Sequence, residues 1–236
     1  MKIQERSFSG KIFRPKPKCY LSSNKKLMTA ITPWGQEAAD TQDLFENIET
    51  QYNFLSEDKE STQPFPKLMS LTPIENDMRT TIIQINQNIF DKINQEEYAM
   101  GFELFFATVV GNILTFIQIG QPVVLIDQPH QYLRSIGQTV TPPLNHKTLS
   151  PQKRGTAHPP LPYQLLGIHE DISFHPFFFR FQSEDRLILL NRNVIPAKWF
   201  YLKREERTVD KLSQLAAEDN PHIPFWLGII DLMDPT

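Results

Sequence analysis

One stretch of the sequence has a strict helical period. Seven apolar side chains recur at steps of three and four residues over more than about five turns, which places them on one face of an α-helix. They are Leu71, Ile74, Met78, Ile82, Ile85, Ile89 and Ile93. The start has the form of a capping box, in which Thr72 is the N-cap, Pro73 takes the first helical position and Glu75 reaches back. The sequence therefore predicts a long amphipathic helix whose single apolar stripe must cover another surface.

A second amphipathic helix is predicted just before it, beginning at Gln36. Its apolar face would hold Ala38, Thr41, Leu44, Ile48, Tyr52 and Leu55. Two long helices with one apolar stripe each need a common surface, and a β-sheet is the natural one. The next segment supplies strands, because Phe102–Val110 and Ile113–Ile119, joined by Gly111-Asn112, predict a β-hairpin.

The other predicted elements are short. A helix is expected over Thr208–Ala217, and strands are expected over Lys11–Phe13, Lys18–Leu21, Leu27–Thr32, Val123–Ile126, Ser173–Phe181, Arg186–Leu190 and Pro224–Leu232. The aromatic run at 174–179 favours a central strand; at a sheet edge it would instead be a site for a partner or for aggregation. The residues alone thus predict an α+β protein with a largely antiparallel sheet.

Neither an internal repeat nor a clear domain boundary interrupts the sequence. We therefore expect a single domain over residues 1–236. Residues 128–161 are rich in proline, hydroxyl and basic side chains and have no periodicity. A segment of this length without secondary structure is typical of a functional or mobile loop, so we predict a flexible flap there.

Charge and hydropathy exclude several classes of partner. The formal net charge is −3, which gives no general attraction to nucleic acid or to an anionic membrane. No run approaches the ~18 consecutive apolar residues of a membrane helix. The N-terminal segment contains Glu5 and no apolar core, so we expect no secretory signal. Cys19 is the only cysteine, which fits a reducing compartment and leads us to expect a cytoplasmic protein.

The familiar catalytic and cofactor motifs are missing from the sequence. Glycine is scarce, at 9 residues, and neither GxxxxGK[ST] nor GxGxxG occurs. The motifs CxxC, HExxH and GxSxG do not occur either. We therefore predict no cofactor and no bound metal.

Five segments, in this order, resemble motifs of the metal-dependent protein phosphatase 2C-like (PPM) family of serine/threonine phosphatases. Leu27–Gly35 is similar to the strand that ends in the family's Asp-Gly-His-Gly-Gly, and the hairpin opened by Gly101 is similar to its Ser-Gly-Thr-Thr strand pair. Ile119–Pro122 stands where the family has Val-Gly-Asp-Ser, and Gln164–Gly167 resembles its Arg-Ala-Leu-Gly-Asp. Asp185–Asn193 is similar to its Asp-x-Leu-Leu-Leu-x-Ser-Asp-Gly. The resemblance implies a four-layer α-β-β-α sandwich, in which two antiparallel sheets are flanked by helices.

The sequence departs from the family's motifs at the positions of the metal ligands and of a histidine. The family holds two divalent metals with aspartates at strand ends, and here Thr32 and Arg192 occupy two of those positions. Trp34 stands at the family's histidine and Gln121 at another aspartate. A permanent cation in place of an anionic ligand opposes metal binding. We therefore expect a degenerate cleft, with no catalytic residues, whose binding residues are Thr32, Trp34, Gln121 and Arg192.

Two details of the cleft remain open at this stage. The family's phosphate-gripping arginine has two candidates, Arg6 and Arg14. Arg192 needs an anion, which could be an internal carboxylate such as Glu37 or Asp219, or a phosphate brought by a partner.

The resemblance therefore suggests a catalytically inactive phosphatase-like domain, a pseudophosphatase, that acts as a binding or regulatory module in bacterial signalling. Its partner would be a protein, and a phosphorylated one if Arg192 binds a phosphate. The sequence does not predict the oligomeric state. One alternative is an active serine/threonine phosphatase with a rearranged metal site that includes Asp219, Asp127 or Asp185. Another is a structural scaffold with no ligand in the cleft.

Overall fold

The computed structural model describes residues 1–11, 13–35, 41–57, 64–137, 162, 164–192 and 194–232. The chain divides into two compact units. The first comprises Met1–Lys16, Gln121–Tyr163 and Gln182–Thr236, and the second comprises Pro17–Gly120 and Gln164–Phe181.

The described part of the second unit contains a five-stranded antiparallel sheet, sheet II, and two α-helices. The strands are β2 (Lys18–Leu21), β3 (Leu27–Gly35), β4 (Met100–Val110), β5 (Ile113–Ile119) and β8 (Pro176–Arg180), in the order β2-β3-β4-β5-β8. Helices α1 (Thr41–Glu57) and α2 (Pro73–Ile89) pack on one face, where Ile48, Ile82 and Leu104 belong to a single buried cluster. Alternation along β3 puts Ile31 in this cluster, so Thr32 faces away from the helices.

In its described residues, the first unit contains another antiparallel sheet, sheet I, and one α-helix. Its strands are β1 (Lys2–Phe8), β6 (Val123–Asp127), β7 (Arg134–Ser135), β9 (Arg186–Leu190) and β10 (Phe225–Asp231), in the order β1-β10-β9-β6-β7. Helix α3 (Val209–Asp219) and a 3-10 turn at Ala197–Tyr201 pack on it through Leu212, Leu215 and Trp199.

These observations confirm the predicted fold class, because the described residues form two antiparallel five-stranded sheets with three helices. The predicted capping box is also present. Thr72 Oγ1 accepts a hydrogen bond from the backbone N–H of Glu75 at 3.3 Å, and the backbone N–H of Thr72 donates to Glu75 Oε2 at 2.7 Å. The predicted single domain over 1–236 stays a prediction.

Three local predictions need correction. The N-terminal strand is Lys2–Phe8 rather than Lys11–Phe13, because an edge strand paired on one side only can be mostly polar and exposed. Helix α2 ends at Ile89, and a π-helical turn at Phe90–Asn94 leaves Ile93 39% exposed. Strand β8 lies at the edge of sheet II instead of its centre, with Phe178 exposed.

The predicted flap can be judged only in its first part. Residues 138–161 lie outside the described residues, as do residues 36–40, where the first predicted helix was expected to begin. Within 128–137, Arg134 and Ser135 pair with β6. None of the helices described is long and apolar enough to cross a bilayer.

Candidate functional site

The predicted site residues Thr32 and Trp34 lie near the end of β3 in the second unit. Thr32 is fully buried and pairs across the sheet with Glu103 of β4. Trp34 is half-buried, and its indole Nε1–H donates to Glu103 Oε2 at 3.0 Å. The two residues therefore share one carboxylate neighbour on the face of sheet II opposite the helices.

Glu103 was not predicted as a site residue, although its side chain is fully buried. A buried carboxylate requires hydrogen-bond donors, and the Trp34 indole is one of them. The signal in the sequence was faint: Glu103 is the only charged residue of the eleven in β4. Gly120 lies close by, since a Cβ there would come within 2.9 Å of Glu103 Cγ, and its φ of +65° also favours glycine.

The other two predicted residues lie in the first unit, at one end of sheet I. Val123 of β6 pairs with Leu190 of β9. Gln121 comes two residues before Val123 and Arg192 two residues after Leu190, so antiparallel pairing puts both beyond the same end of the sheet. Both residues are 2% exposed. The structure thus brings Gln121 and Arg192 to one sheet end, whereas the convergence of all four residues stays a prediction.

Arg192 is held by the last turn of α3. Its Nη1 donates to the carbonyl oxygen of Ala216 at 2.7 Å, and its Nη2 donates to Asp219 Oδ2 at 2.9 Å. A cation is favourable there, because the final carbonyls of a helix carry partial negative charge. Burial lowers the pKa of Arg192, and the charge and hydrogen bond of Asp219 act in the opposite direction. Of the two candidate internal carboxylates, Asp219 is the one observed, while Glu37 lies outside the described residues.

The two candidate phosphate-gripping arginines have different surroundings. Arg14 is half-buried, and its Nε donates to the side-chain oxygen of Asn191 at 2.8 Å. Asn191 immediately precedes Arg192 in the sequence. Arg6 instead forms an exposed pair with Asp210 in the first turn of α3. The geometry therefore favours Arg14 as a neighbour of the candidate site.

The aspartates of the alternative metal site are distributed over both ends of sheet I. Asp219 pairs with Arg192 at one end, and Asp127 pairs with Arg186 and Arg207 at the other. Asp185 precedes β9 at that second end and accepts a hydrogen bond from Gln128. In the parts of the chain that the structure describes, no group of three or more His, Cys, Asp or Glu side chains is arranged to hold a metal ion.

Comparison with solved structures identifies the fold. The PPM Ser-Thr phosphatase MsPP from Mycobacterium smegmatis, solved with cacodylate, has a TM-score of 0.62 at 12% identity and covers 98% of each chain. The serine/threonine phosphatase PstP/Ppp of Mycobacterium tuberculosis has a TM-score of 0.57 at 16% identity, again over 98% of each chain. These likenesses show the PPM phosphatase fold.

A third similar structure is PppA, described as a key regulatory component of the T6SS in Pseudomonas aeruginosa. It has a TM-score of 0.61 at 15% identity, over 98% of this chain and 97% of that one. No model of a protein family and no curated protein sequence matches the chain.

Proposed function

We propose that this protein is a catalytically inactive phosphatase-like domain that works as a binding or regulatory module in bacterial signalling. Its fold is that of bacterial PPM phosphatases, and one of its structural neighbours is described as a regulatory component. The resemblance of its motifs to that family, with Thr32 and Arg192 at aspartate positions, supports the loss of the metal centre.

The observation that carries the proposal is the environment of Arg192. A guanidinium about 4 Å from a divalent ion would be repelled by about 8 kcal/mol at an effective dielectric constant of about 20. Asp219, the nearby carboxylate, is already paired with this guanidinium. A metal that recruited Asp219 would also leave the buried charge of Arg192 without its partner, which adds a further cost.

The binding role is proposed for Thr32, Trp34, Gln121 and Arg192, with a protein partner that carries a phosphoryl group. Arg192 Nε has no hydrogen-bond partner among the residues described. It is therefore the donor that we assign to a phosphoryl oxygen, and binding at this buried atom involves local movement of the protein.

The proposal is tested by turnover and by metal binding. Purified protein with Mg²⁺ or Mn²⁺ is expected not to hydrolyse p-nitrophenyl phosphate or phosphothreonine peptides, and calorimetry with either ion is expected to show no binding. Turnover of about 1 s⁻¹ or more, abolished by EDTA and by Asp219→Ala, would refute inactivity and favour the active enzyme with a rearranged metal site. The Asp210→Ala variant, altered on the exposed start of the same helix, is the matched control.

A second candidate function, a structural scaffold, is favoured by the closed pairing of Arg192 with Asp219 and the carbonyl of Ala216. Titration with a phosphothreonine peptide, followed by NMR, separates it from the binding module. Shifts at the Trp34 indole N–H that disappear in Arg192→Ala support binding. An unchanged spectrum supports the scaffold.

A further inference from the structure

A cleft lies at the other end of sheet I from Arg192, where β6 ends and β9 begins. Asp127 pairs with Arg186 there, and Leu190 is about 13 Å further along β9 at ~3.3 Å per residue. The cleft has a volume of about 810 Å³, within the range of ligand sites. It lies wholly within the first unit, and none of Thr32, Trp34, Gln121 and Arg192 lines it.

Two of the arginines that line the cleft, Arg186 and Arg207, are bound to Asp127, whose side chain is fully buried. Arg186 Nε donates to Asp127 Oδ2 at 2.9 Å, and Arg207 Nη1 donates to Oδ1 at 2.6 Å. Arg207 also donates to the carbonyl oxygens of Gln131 and Leu202, so all three of its nitrogens are engaged. Arg207 is thus a fixed structural element. One carboxylate is therefore shared by two guanidiniums, which leaves one positive charge uncompensated in this group of three side chains.

Arg186 and Arg204 line the cleft, so their positive charges are available to a ligand there. The Arg186 side chain is 22% exposed, and its Nη1 donates no hydrogen bond within the described part of the chain. Arg204 donates to the backbone carbonyls of Asp127 and Glu184 but pairs with no described carboxylate. Arg204 thus has no counter-charge among the described residues, and Arg186 shares the single carboxylate of Asp127 with Arg207. A partly buried guanidinium whose charge is not fully balanced is electrostatically unfavourable, so both arginines favour an anionic ligand.

The charge balance of the whole cleft agrees with this preference. Arg186, Lys203, Arg204 and Arg207 line it together with two exposed glutamates, Glu184 and Glu205. With the buried Asp127 included, one positive charge remains in excess. The protein as a whole has a formal net charge of −3, so the net charge of the cleft is opposite in sign to that of the whole protein.

Two tyrosines at the cleft indicate the kind of molecule that carries the anion. Tyr132 and Tyr201 both line it and are 79% and 85% exposed. Their positions are fixed by buried neighbours, because Leu133 and Trp199 are anchored in the core of the first unit. Exposed tyrosines next to arginines are typical of the residues that dominate protein–protein interfaces.

We propose that this cleft binds an oxyanion carried by a peptide segment of a partner protein, held by Arg186 and Arg204 between Tyr132 and Tyr201. The oxyanion is either the phosphoryl group of a phosphorylated residue or the carboxylate of an acidic one. The site is separate from the family's cleft and does not rest on the function proposed above.

The test is calorimetric titration of the full chain with three short end-capped peptides. They are identical except for a central phosphothreonine, glutamate or alanine. We expect the phosphothreonine or glutamate peptide to bind more tightly than the alanine peptide, by about tenfold or more, since charge-assisted bonds to guanidiniums are strong. A preference for phosphothreonine identifies a phosphorylated partner, and equal binding of both anionic peptides identifies an acidic one.

The variants Arg204→Gln and Tyr201→Ala should each weaken this binding, the first by about tenfold. Tyr201→Ala removes an exposed side chain, so it tests the site even if Arg204→Gln disturbs folding. Arg180→Gln, which changes the same charge at the exposed end of β8, should leave it within about twofold. Equal affinity for all three peptides, equal loss in Arg180→Gln, or tighter binding of a short oligoribonucleotide would overturn the proposal.

Discussion

The pairing of Arg192 with Asp219 gives the sharpest stability prediction. The Arg192 side chain is 2% exposed, whereas that of Asp219 is 40% exposed. Asp219→Asn keeps the shape and one acceptor oxygen but removes the negative charge. Arg192→Leu removes the positive charge and keeps apolar bulk against α3. The two single variants and the double variant together form a double-mutant cycle that isolates the interaction.

The loss of unfolding free energy expected for Asp219→Asn lies between two limits. Breaking a fully buried ion pair costs about 3–5 kcal/mol, and an exposed pair contributes about 0.2–1 kcal/mol. Since solvent reaches Asp219 but not Arg192, we expect Asp219→Asn to lower the free energy of unfolding by about 2 kcal/mol. In the Arg192→Leu background the same change should cost less than about 0.5 kcal/mol, because no buried charge is left behind. The coupling energy is therefore about 1.5–2 kcal/mol.

The cycle is measured by urea unfolding at neutral pH, with circular dichroism as the probe. A control cycle uses Arg6 of β1 and Asp210 of α3, whose side chains are 60% and 73% exposed. Its coupling energy should not exceed about 0.5 kcal/mol. Equal coupling energies in the two cycles, or a stabilising Asp219→Asn, would refute the view that burial makes the Arg192 charge dependent on Asp219.

Two further predictions concern the core of the second unit. Ile85→Ala should lower the free energy of unfolding by about 2–4 kcal/mol, because Ile85 belongs to the buried cluster under α2. Phe54→Ala, at an exposed position of α1, is the control and should change it by less than about 1 kcal/mol. Equal losses in the two variants would contradict the packing of α2 on sheet II. Burial raises the pKa of Tyr52 above 10.0, so its contribution to stability is complete below pH 10.0 and is lost as the pH rises through the folded-state pKa. Unfolding free energies between about pH 9 and 11 should decline less steeply in Tyr52→Phe, and identical slopes would count against this.

Local sequence rules predicted those elements whose determinants are local. The capping box at Thr72 and Glu75 requires only four adjacent residues, and the hairpin turn Gly111-Asn112 requires two. The apolar stripe of α2 was predicted because helical period and burial agree, as at Met78 and Ile82, which are fully buried. These features could be recognised without knowing the fold.

The features that sequence analysis missed depend on partners distant in the chain. Strand β1 exists because β10 lies beside it, with Lys2 paired to Asp231, and its polar sequence gives little sign of this. The carboxylate of Asp127 is satisfied by arginines 59 and 80 positions away. Glu103 depends on Trp34, 69 positions away. No local pattern distinguishes such a buried carboxylate from one that would be exposed on a loop.

The two ends of sheet I differ in how their charges are satisfied, and this difference determines where a ligand is expected. At the Arg192 end, one buried guanidinium is matched by one carboxylate and one helix-terminal carbonyl. At the Arg186 end, the buried Asp127 is shared by two guanidiniums, and Arg204 adds a third without a carboxylate among the residues described. An anion that binds at the first end must compete with Asp219, whereas one that binds at the second meets Arg204, which has no described carboxylate, and Arg186, which has only a shared one. The second end should therefore bind anions more tightly than the first.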